Sequence, residues 1–381
     1  MRTRIHGARV FDGERTIVAT DVMLEDGLIA AVGAGTVGTA DVEVDGRGGT
    51  LLPGLIDAHT HTFDGSLAEA LRYGVTTELD MFCLPRPLAR YRRLADHRDD
   101  VADLRSAGTV ATAPGGHPIQ LLAALTGTVL DPSDVTEVDF VTDPARAPAF
   151  VQARLDEGAD YLKIIIDDGT VHGADLPVMT AVVATALTAA AHDAGLRVVA
   201  HAITAAEANI ALDAGVDGLA HVWADLSPKA PASRRLAERV RAQGVFVVTT
   251  LAYFEAVTAR HSGTALCGHP GHYANAAGAL RELHRAGVPL LAGSDATPFA
   301  PAHGAGLHRE LWLLAEAGLG AEEVLASATG VTARHFDLAD RGRIVPGRRA
   351  DLLLVDGDPT RDVSALASLT AVWRRGVRQA R

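Results

Sequence analysis

The chain has 381 residues, of which 48% are hydrophobic, and a formal net charge of −12 at pH 7. This length allows a large buried core, while the lack of an apolar run near roughly 18 residues argues against a helical membrane span. The acidic balance argues against a nucleic-acid surface, and two cysteines, too few for a disulfide framework, indicate a reducing, cytoplasmic compartment.

Both ends of the chain have short strand patterns bounded by glycine turns, as in a β-domain. Near the start, the predicted strands are Ile5–Phe11, Thr16–Leu24 and Leu28–Val32. Residues 342–357 have a similar pattern, and a last strand is predicted at Ala371–Arg375. We therefore predict a small β-sandwich domain from residues 1–50 and 341–381, which flanks a central domain of residues 51–340.

In the central domain, apolar strands alternate with alanine-rich amphipathic helices, the pattern of parallel βα units. The eight predicted strands are Leu55–His59, Val75–Asp80, Gly108–Ala111, Tyr161–Ile166, Arg197–His201, Gly218–His221, Val245–Thr250 and Leu290–Asp295. The clearest predicted helices are Ser66–Arg72, Ala145–Asp156, Val178–Asp193, Ala205–Asp213, Arg234–Gln243 and Asn275–Arg285. This α/β pattern favours a (β/α)8 TIM barrel, with its active site at the carboxyl ends of the strands. A doubly wound sheet is the alternative, but no Gly-x-Gly-x-x-Gly follows the first strand.

Ligand-type residues stand at the ends of four predicted barrel strands. His59 and His61 close the first strand, and residues i and i+2 of a strand point to the same face, so both imidazoles can bind one metal ion. His201, His221 and Asp295 end the fifth, sixth and eighth strands. Each histidine alone could be a hydrogen-bonded rim residue, and Asp295 could cap a helix. Together they predict a metal site of imidazole and carboxylate ligands, the set that zinc favours.

Lys163 lies inside the apolar fourth strand and is one of only two lysines in the chain. A buried ammonium is costly unless its pKa falls or it pairs with a carboxylate. A neutral amine can instead add carbon dioxide and become a carbamate, whose two oxygens could bridge two metal ions. The alternative is an ion pair with Glu78 or Asp80. We favour carboxylation because four histidines provide enough imidazoles for two metals.

The combination resembles the amidohydrolase superfamily, in its imidazolonepropionase-related and Xaa-Pro-dipeptidase-like branch. The resemblance covers nearly the whole chain and rests on the segment from Pro53 to His61, Lys163, His201, His221, Ser294-Asp295 and the segment from Gly347 to Leu352. It implies a (β/α)8 barrel, a small β-sandwich from both termini, and two divalent metal ions that share a carboxylated lysine. The implied ligands are His59, His61, Lys163 and Asp295 at the more buried metal, and His201, His221 and the same carbamate at the second.

The resemblance implies hydrolysis of an amide, ester or related C–N or C–O bond in a small molecule. A metal-bridging hydroxide would attack the carbonyl carbon, with Asp295 as general base and acid. Dipeptidase or N-acyl amino acid hydrolase activity fits this scheme. The alternatives are a mononuclear aminohydrolase, of deaminase or imidazolonepropionase type, and a non-catalytic scaffold. Deaminases of the superfamily carry His-x-x-Glu after strand five, where this chain has Thr204 in place of the glutamate.

Four residues in the predicted βα loops are candidates for substrate binding. They are His117 after strand three, His172 after strand four, Trp223 after strand six and Tyr253 after strand seven. Each could instead pack at the rim. No strand-end arginine obviously receives a substrate carboxylate, so an uncharged amide, ester, carbamate or lactone is equally compatible.

The loop His261–His272 is rich in glycine and contains His261, Cys267, His269 and His272. Its spacing favours a lid over the barrel mouth more than a separate zinc site. For partners, the sequence predicts a small-molecule substrate and neither nucleic acid nor membrane; a homo-oligomer is compatible with it.

Overall fold

The computed structural model describes residues 1–33, 39–135, 138–259, 269 and 271–380. Its strands are β1 (Arg2–Phe11), β2 (Thr16–Glu25), β3 (Leu28–Val32), β4 (Val42–Asp45), β5 (Gly49–Pro53), β6 (Leu55–Thr60), β7 (Val75–Asp80), β8 (Asp103–Ser106), β9 (Leu162–Ile165), β10 (Val198–His201), β11 (Gly218–Ala220), β12 (Phe246–Val248), β13 (Leu290–Leu291), β14 (Leu352–Asp356), β15 (Leu369–Arg374) and β16 (Val377–Arg378). Its α-helices are α1 (Ser66–Arg72), α2 (Pro85–His97), α3 (Ile119–Leu125), α4 (Ala147–Asp156), α5 (Ala181–Asp193), α6 (Ala205–Ala214), α7 (Pro231–Ala242), α8 (Leu251–Thr258), α9 (Gly271–Ala286), α10 (Ala305–Glu316), α11 (Ala321–Ser327) and α12 (Gly330–His335).

One mixed sheet draws its strands from both ends of the chain. The order is β16-β15-β14-β5-β1-β2-β3, and β4 also pairs with β1. The alternating burial of β1 places Ile5 and Val10 in a core that they share with Leu352 and Trp373. Strand β5 pairs antiparallel with β14 over five residue pairs, so the chain enters the central region from a strand held by a distant segment.

The central region is an α/β fold with two parallel sheets, β6-β7-β8 and β9 to β13 in chain order. Every residue of β6, β7 and β9 to β13 is buried, which explains the apolar runs of β9 to β13; β6 and β7 also bury several polar side chains. Backbone hydrogen bonds connect the two sheets on both sides. Ala111 N donates to Lys163 O (2.9 Å), and Asp295 N donates to His59 O (2.8 Å).

Most predicted strands differ from the observed ones only at their ends, but two in the central region differ more. The third strand was predicted at Gly108–Ala111, but the ladder with β7 is formed by β8, Asp103–Ser106. Gly108 has φ +64°, a left-handed conformation that interrupts an extended run, and Ala111 forms only an isolated bridge with Ile164. The predicted eighth strand, Leu290–Asp295, is regular only over β13, because the following residues bond to β6 instead.

Helices pack against the parallel sheets through a large apolar core, which includes Leu187 of α5, Leu236 of α7 and Leu311 of α10. Within the described ranges, no helix combines the length and apolar composition needed to cross a bilayer.

Candidate metal and active site

The ligand-type residues predicted from the sequence line a single cavity at the carboxyl ends of the parallel strands. Its polar lining includes His59, His61, Lys163, His201, His221 and Asp295. They come together because parallel strands place their carboxyl ends at one edge, although the residues are far apart in the chain. The chain therefore concentrates imidazoles, an amine and a carboxylate in one place.

The tightest cluster consists of His59, His61 and Asp295. Asp295 Oδ1 lies 3.4 Å from His59 Nε2 and 3.1 Å from His61 Nε2. Burial holds the pKa of His59 well below its usual value, which keeps this imidazole in the neutral form that binds metals. Burial would raise the pKa of Asp295, but the neighbouring His61 and Lys163 bring it below the usual range. These groups could hold one metal ion.

A second group of imidazoles lies beside the first. The ring of His221 is 4.8 Å from that of His59 and 4.5 Å from that of His201, between centroids. His221 Nδ1 lies 2.8 Å from Thr250 Oγ1, which leaves Nε2 as the ring nitrogen for another ligand. Burial holds the pKa of His221 well below its usual value, so this ring is also neutral. The donor set therefore extends far enough for a second ion.

Lys163 is buried, and its Nζ has no hydrogen-bond partner among the residues that the structure describes. The two carboxylates considered as ion-pair partners bond elsewhere. Glu78 Oε1 lies 2.7 Å from His303 Nδ1, and Asp80 accepts hydrogen bonds from Thr62 N and from Ser106 Oγ. Burial lowers the pKa of Lys163 to about 7. A buried amine without a partner is unusual and fits a group that is modified or bound to a ligand.

Three neighbouring strand ends have left-handed backbone conformations. The φ angles are 78° at His221, 49° at Thr250 and 56° at Asp295. Such values are uncommon outside glycine, and for the β-branched Thr250 they represent real strain. Because the surrounding packing must hold this strain, the side chains of His221 and Asp295 are fixed in direction before any ligand binds.

Asp57 connects the strand of the histidine pair to that of Asp295. Its Oδ1 accepts from Ser294 N (2.9 Å) and from His59 N (3.2 Å), and its Oδ2 accepts from Ser294 Oγ (2.5 Å). A Cβ atom added to Gly293 would lie 2.9 Å from His59 N, so only glycine allows this close approach. Sequence reasoning missed the role of Asp57, although it lies two residues before His59.

Two further buried carboxylates, Glu78 and Glu310, support the site through contacts that the sequence analysis did not predict. Glu78 contacts His303, whose Nε2 also lies 3.1 Å from His61 O. Burial would lower the pKa of His303, but Glu78 raises it to about 9.

Glu310 accepts hydrogen bonds from Thr249 Oγ1 and from Ala252 N, on either side of the strained Thr250. Glu310 occupies the apolar face of α10, a signal that the sequence contained; the Glu78–His303 pair spans 225 residues and had no such signal.

Asp167 is a further ligand-type residue that was not selected. It follows the fourth strand, and its Oδ2 lies 3.4 Å from His201 Nε2 and 3.8 Å from His117 Nδ1. Burial would raise the pKa of Asp167, but the contact with His201 brings it below the usual range. Its position at a strand end was the available signal. Asp167 can orient His201 through this contact.

The four candidate substrate residues have different positions. His117 and Tyr253 line the cavity; their rings lie 5.0 Å from that of His201 and 5.3 Å from that of His221, respectively. His172 lies behind Tyr253, with its Nε2 2.7 Å from the phenol oxygen. Trp223 is buried outside the cavity lining, and its Nε1 donates to Ser233 Oγ. Contact with substrate is thus open to His117 and Tyr253.

The structure bears on the deaminase alternative and on part of the predicted lid. Thr204, at the position of the deaminase glutamate, is the N-cap of α6 and forms a capping box with Glu207. In the loop His261–His272, both His261 and Cys267 lie outside the described residues, so the lid remains a prediction. Of that segment, His269 N donates to His272 Nδ1 at 3.1 Å.

Comparison with known protein families agrees with this architecture. A model of the amidohydrolase family matches residues 50–379. The chain belongs to the amidohydrolase family. This amidohydrolase is therefore a hydrolase, as the sequence predicted.

Similar solved structures cover the chain almost completely. A Xaa-Pro dipeptidase with bound methionine has a TM-score of 0.82 at 22% identity, with all of both chains covered. A putative prolidase from Bifidobacterium longum has a TM-score of 0.83 at 24% identity, covering all of this chain and 95% of its own. The A. niger ochratoxinase has a TM-score of 0.81 at 19% identity, covering 99% of this chain and 95% of its own. At these identities the likeness concerns the fold.

One curated protein matches a short part of the sequence. The 5-methylthioadenosine/S-adenosylhomocysteine deaminase of Pyrococcus furiosus is 43% identical over 56 residues, which are 15% of this chain and 13% of that protein. The match thus spans a small part of that relative, and its activity does not transfer with it.

Proposed function

We propose that this amidohydrolase is a metal-dependent hydrolase of amide, ester or related C–N or C–O bonds in small molecules, with a binuclear zinc-type centre. The observation that carries the proposal is Lys163, a buried amine without a hydrogen-bond partner in the described part of the chain, in the cavity lined by the imidazoles and Asp295. Dipeptidase or N-acyl amino acid hydrolase activity falls within this class. The similarity to a Xaa-Pro dipeptidase and to ochratoxinase supports it at the level of fold.

The proposal extends to the architecture. The hydrogen bonds that connect the two parallel sheets on both sides support a closed (β/α)8 barrel. The mixed sheet from both termini supports a separate small domain of sandwich type. We assign residues 1–50 and 341–381 to that domain and residues 51–340 to the barrel.

The donor set of the cavity fits two divalent ions. In this proposal His59, His61 and Asp295 bind one ion, His201 and His221 bind the other, and a carboxylated Lys163 is shared. Carboxylation joins the neutral Nζ to the carbon of carbon dioxide and releases one proton. The ions, when bound, would activate a water molecule and polarise the substrate carbonyl.

The protein residues then have separate tasks. Asp295 accepts the proton of the nucleophilic water as it attacks the carbonyl carbon, and donates it to the leaving nitrogen or oxygen as that bond breaks. His117 and Tyr253, which line the cavity, orient the carbonyl group. His172 holds the phenol of Tyr253 by its 2.7 Å contact. Asp57 and His303 fix the strand and loop that carry the metal ligands.

The competing proposal is a mononuclear deaminase, which the short deaminase match favours. Thr204 argues against it, because its side chain caps a helix and cannot shuttle protons as a carboxylate does. The deaminase reaction also gives no task to a buried lysine.

Metal content tests the proposal most directly. Protein produced with added zinc and bicarbonate should contain two metal ions per chain, and Lys163→Ala should contain one or none. The matched control is Lys229→Ala, which removes the other lysine of the chain. Two ions in wild type and control, with loss in Lys163→Ala, would support the binuclear centre. A single ion in the wild type that is unaffected by Lys163→Ala would contradict it and favour the deaminase.

A further inference from the structure

The cavity lining contains two chemically different sets of residues. One set consists of the ligand-type residues. The other is apolar and includes Phe82 and Leu84 after β7, Leu121, Leu122 and Leu125 of α3, and Leu130 after it. We call these six residues the apolar wall. The wall and the ligand-type residues line the same cavity, which is partly open to solvent.

Helix α3 is unusual because none of its seven residues is buried, although it carries three leucines. Leu121, Leu122 and Leu125 are each partly exposed and line the cavity, whereas Ala123 and Ala124 face solvent. Leaving apolar area in water costs about 25 cal/mol per Å². The helix therefore presents an apolar surface to the cavity, and a bound ligand would cover that surface.

The described cavity lining contains no arginine, and Lys163 is its one lysine. The nearby Arg90 is engaged elsewhere, with guanidinium nitrogens 3.1 Å from Asp134 Oδ2 and 3.2 Å from Asp64 Oδ1. A substrate carboxylate at the apolar wall would thus lose its hydration without gaining a cationic partner there. Burying an unpaired charge in this way is strongly unfavourable.

We propose that the apolar wall binds an uncharged aliphatic or aromatic group of the substrate and selects against a free carboxylate at that position. The preferred substrates are neutral amides, esters or carbamates with an apolar acyl or leaving group, and compounds that place a free carboxylate at the apolar wall are poor substrates. This inference rests on the proposed hydrolase function and specifies its substrate class. Leu122 and Leu125 are the residues that determine specificity.

Two anilides that share the scissile bond test this selectivity. Hexanoyl 4-nitroanilide and adipoyl mono(4-nitroanilide) differ only by a carboxylate in place of the terminal methyl group. For the metal-loaded enzyme, kcat/KM should be at least tenfold higher for the hexanoyl compound. Leu122→Arg should reduce this preference at least tenfold, since the guanidinium provides the missing partner. Ala124→Arg, which places the same charge on the outer face of α3, should leave the preference unchanged.

A binding experiment separates failure of the inference from failure of the proposed function. Hexanohydroxamic acid and its ω-carboxylate analogue are titrated calorimetrically into the metal-loaded protein and the same two variants. A tenfold tighter Kd for the neutral compound, lost in Leu122→Arg alone, supports the inference even if neither anilide is hydrolysed, in which case the proposed function fails for anilides and the inference stands. Equal kcat/KM for both anilides with turnover, or equal Kd for both hydroxamates, overturns the inference.

Discussion

Buried charges occur at both ends of the parallel strands, but their partners differ. At the amino end, Asp103 begins β8 and contacts Arg341, Arg349 and Arg374. At the carboxyl end, Lys163 Nζ has no partner in the described ranges, and Glu310 accepts hydrogen bonds from a hydroxyl and a backbone N–H. A carboxylate that is paired with several arginines serves stability, whereas a buried amine that lines a cavity without a hydrogen-bond partner is available to a ligand.

The paired cluster connects distant parts of the chain. Asp103 Oδ2 lies 2.8 Å from Arg349 Nη1, and Arg349 Nε lies 2.7 Å from Asp351 Oδ2, just before β14. Burial alone would raise the pKa of Asp103, but the three arginines hold it below its usual range. The cluster therefore fastens the terminal sheet to the amino end of β8. An Asp→Asn substitution should therefore impair catalysis at the carboxyl end of the strands and reduce stability at the amino end.

The largest effect is expected for Asp295→Asn. An amide cannot accept the proton of the attacking water, so kcat should fall by about 10³-fold or more while the protein stays folded and metal-bound. Steady-state kinetics, circular dichroism and metal analysis provide the three measurements. Full turnover in this variant would remove Asp295 from the mechanism.

Asp103→Asn should show the reverse pattern. It leaves Arg341, Arg349 and Arg374 without their shared carboxylate, so the free energy of unfolding should fall by about 3 kcal/mol. Denaturant titration measures this loss, and kcat of the folded variant should stay within about twofold of wild type. A stable variant with impaired turnover would mean that the two ends are not separate in function.

The smallest expected effect is a difference in how stability depends on pH at the two ends of the strands. Burial raises the pKa of Glu310 to about 7, so the folded state binds a proton more tightly than the unfolded state. Wild-type stability should therefore decline as the pH rises from 4.5 to 7, by about 2–3 kcal/mol relative to Glu310→Gln. Denaturant titrations of both proteins across this range give the difference. A constant difference would show that Glu310 does not titrate there.

For Asp103 the pH dependence of stability has the opposite sign. Its pKa is lowered in the folded state, so the stability that it contributes is present above its ordinary value of 3.8 and is lost as the pH falls below that value. The stability difference between wild type and Asp103→Asn should shrink on acidification, in the same titrations extended to lower pH.

The sequence was sufficient for features that depend on local pattern. Apolar runs marked the buried parallel strands, and a histidine or aspartate at a strand end could be selected without knowing its neighbours. The position of Lys163 was informative because a charged residue is unexpected inside an apolar strand. These residues do line one cavity.

Features that depend on tertiary contacts could not be predicted from the sequence. The contact of Glu78 with His303 and the wall formed by α3 join segments with no shared pattern. The third strand was misplaced because its short apolar signal, Gly108–Ala111, contains a left-handed glycine, while β8 itself begins with the charged Asp103. Local propensity cannot recognise an aspartate whose charge is paired with three distant arginines.

The pairing of β5 with β14 has a consequence for biosynthesis. Strand β5 runs directly into β6, which carries His59, yet one of its two neighbours in the sheet is made about 300 residues later. During translation at about 5–20 residues per second, the histidine pair leaves the ribosome many seconds before β14 exists. A nascent chain thus displays imidazoles before their supporting strand is anchored, and metal loading should follow synthesis of β14.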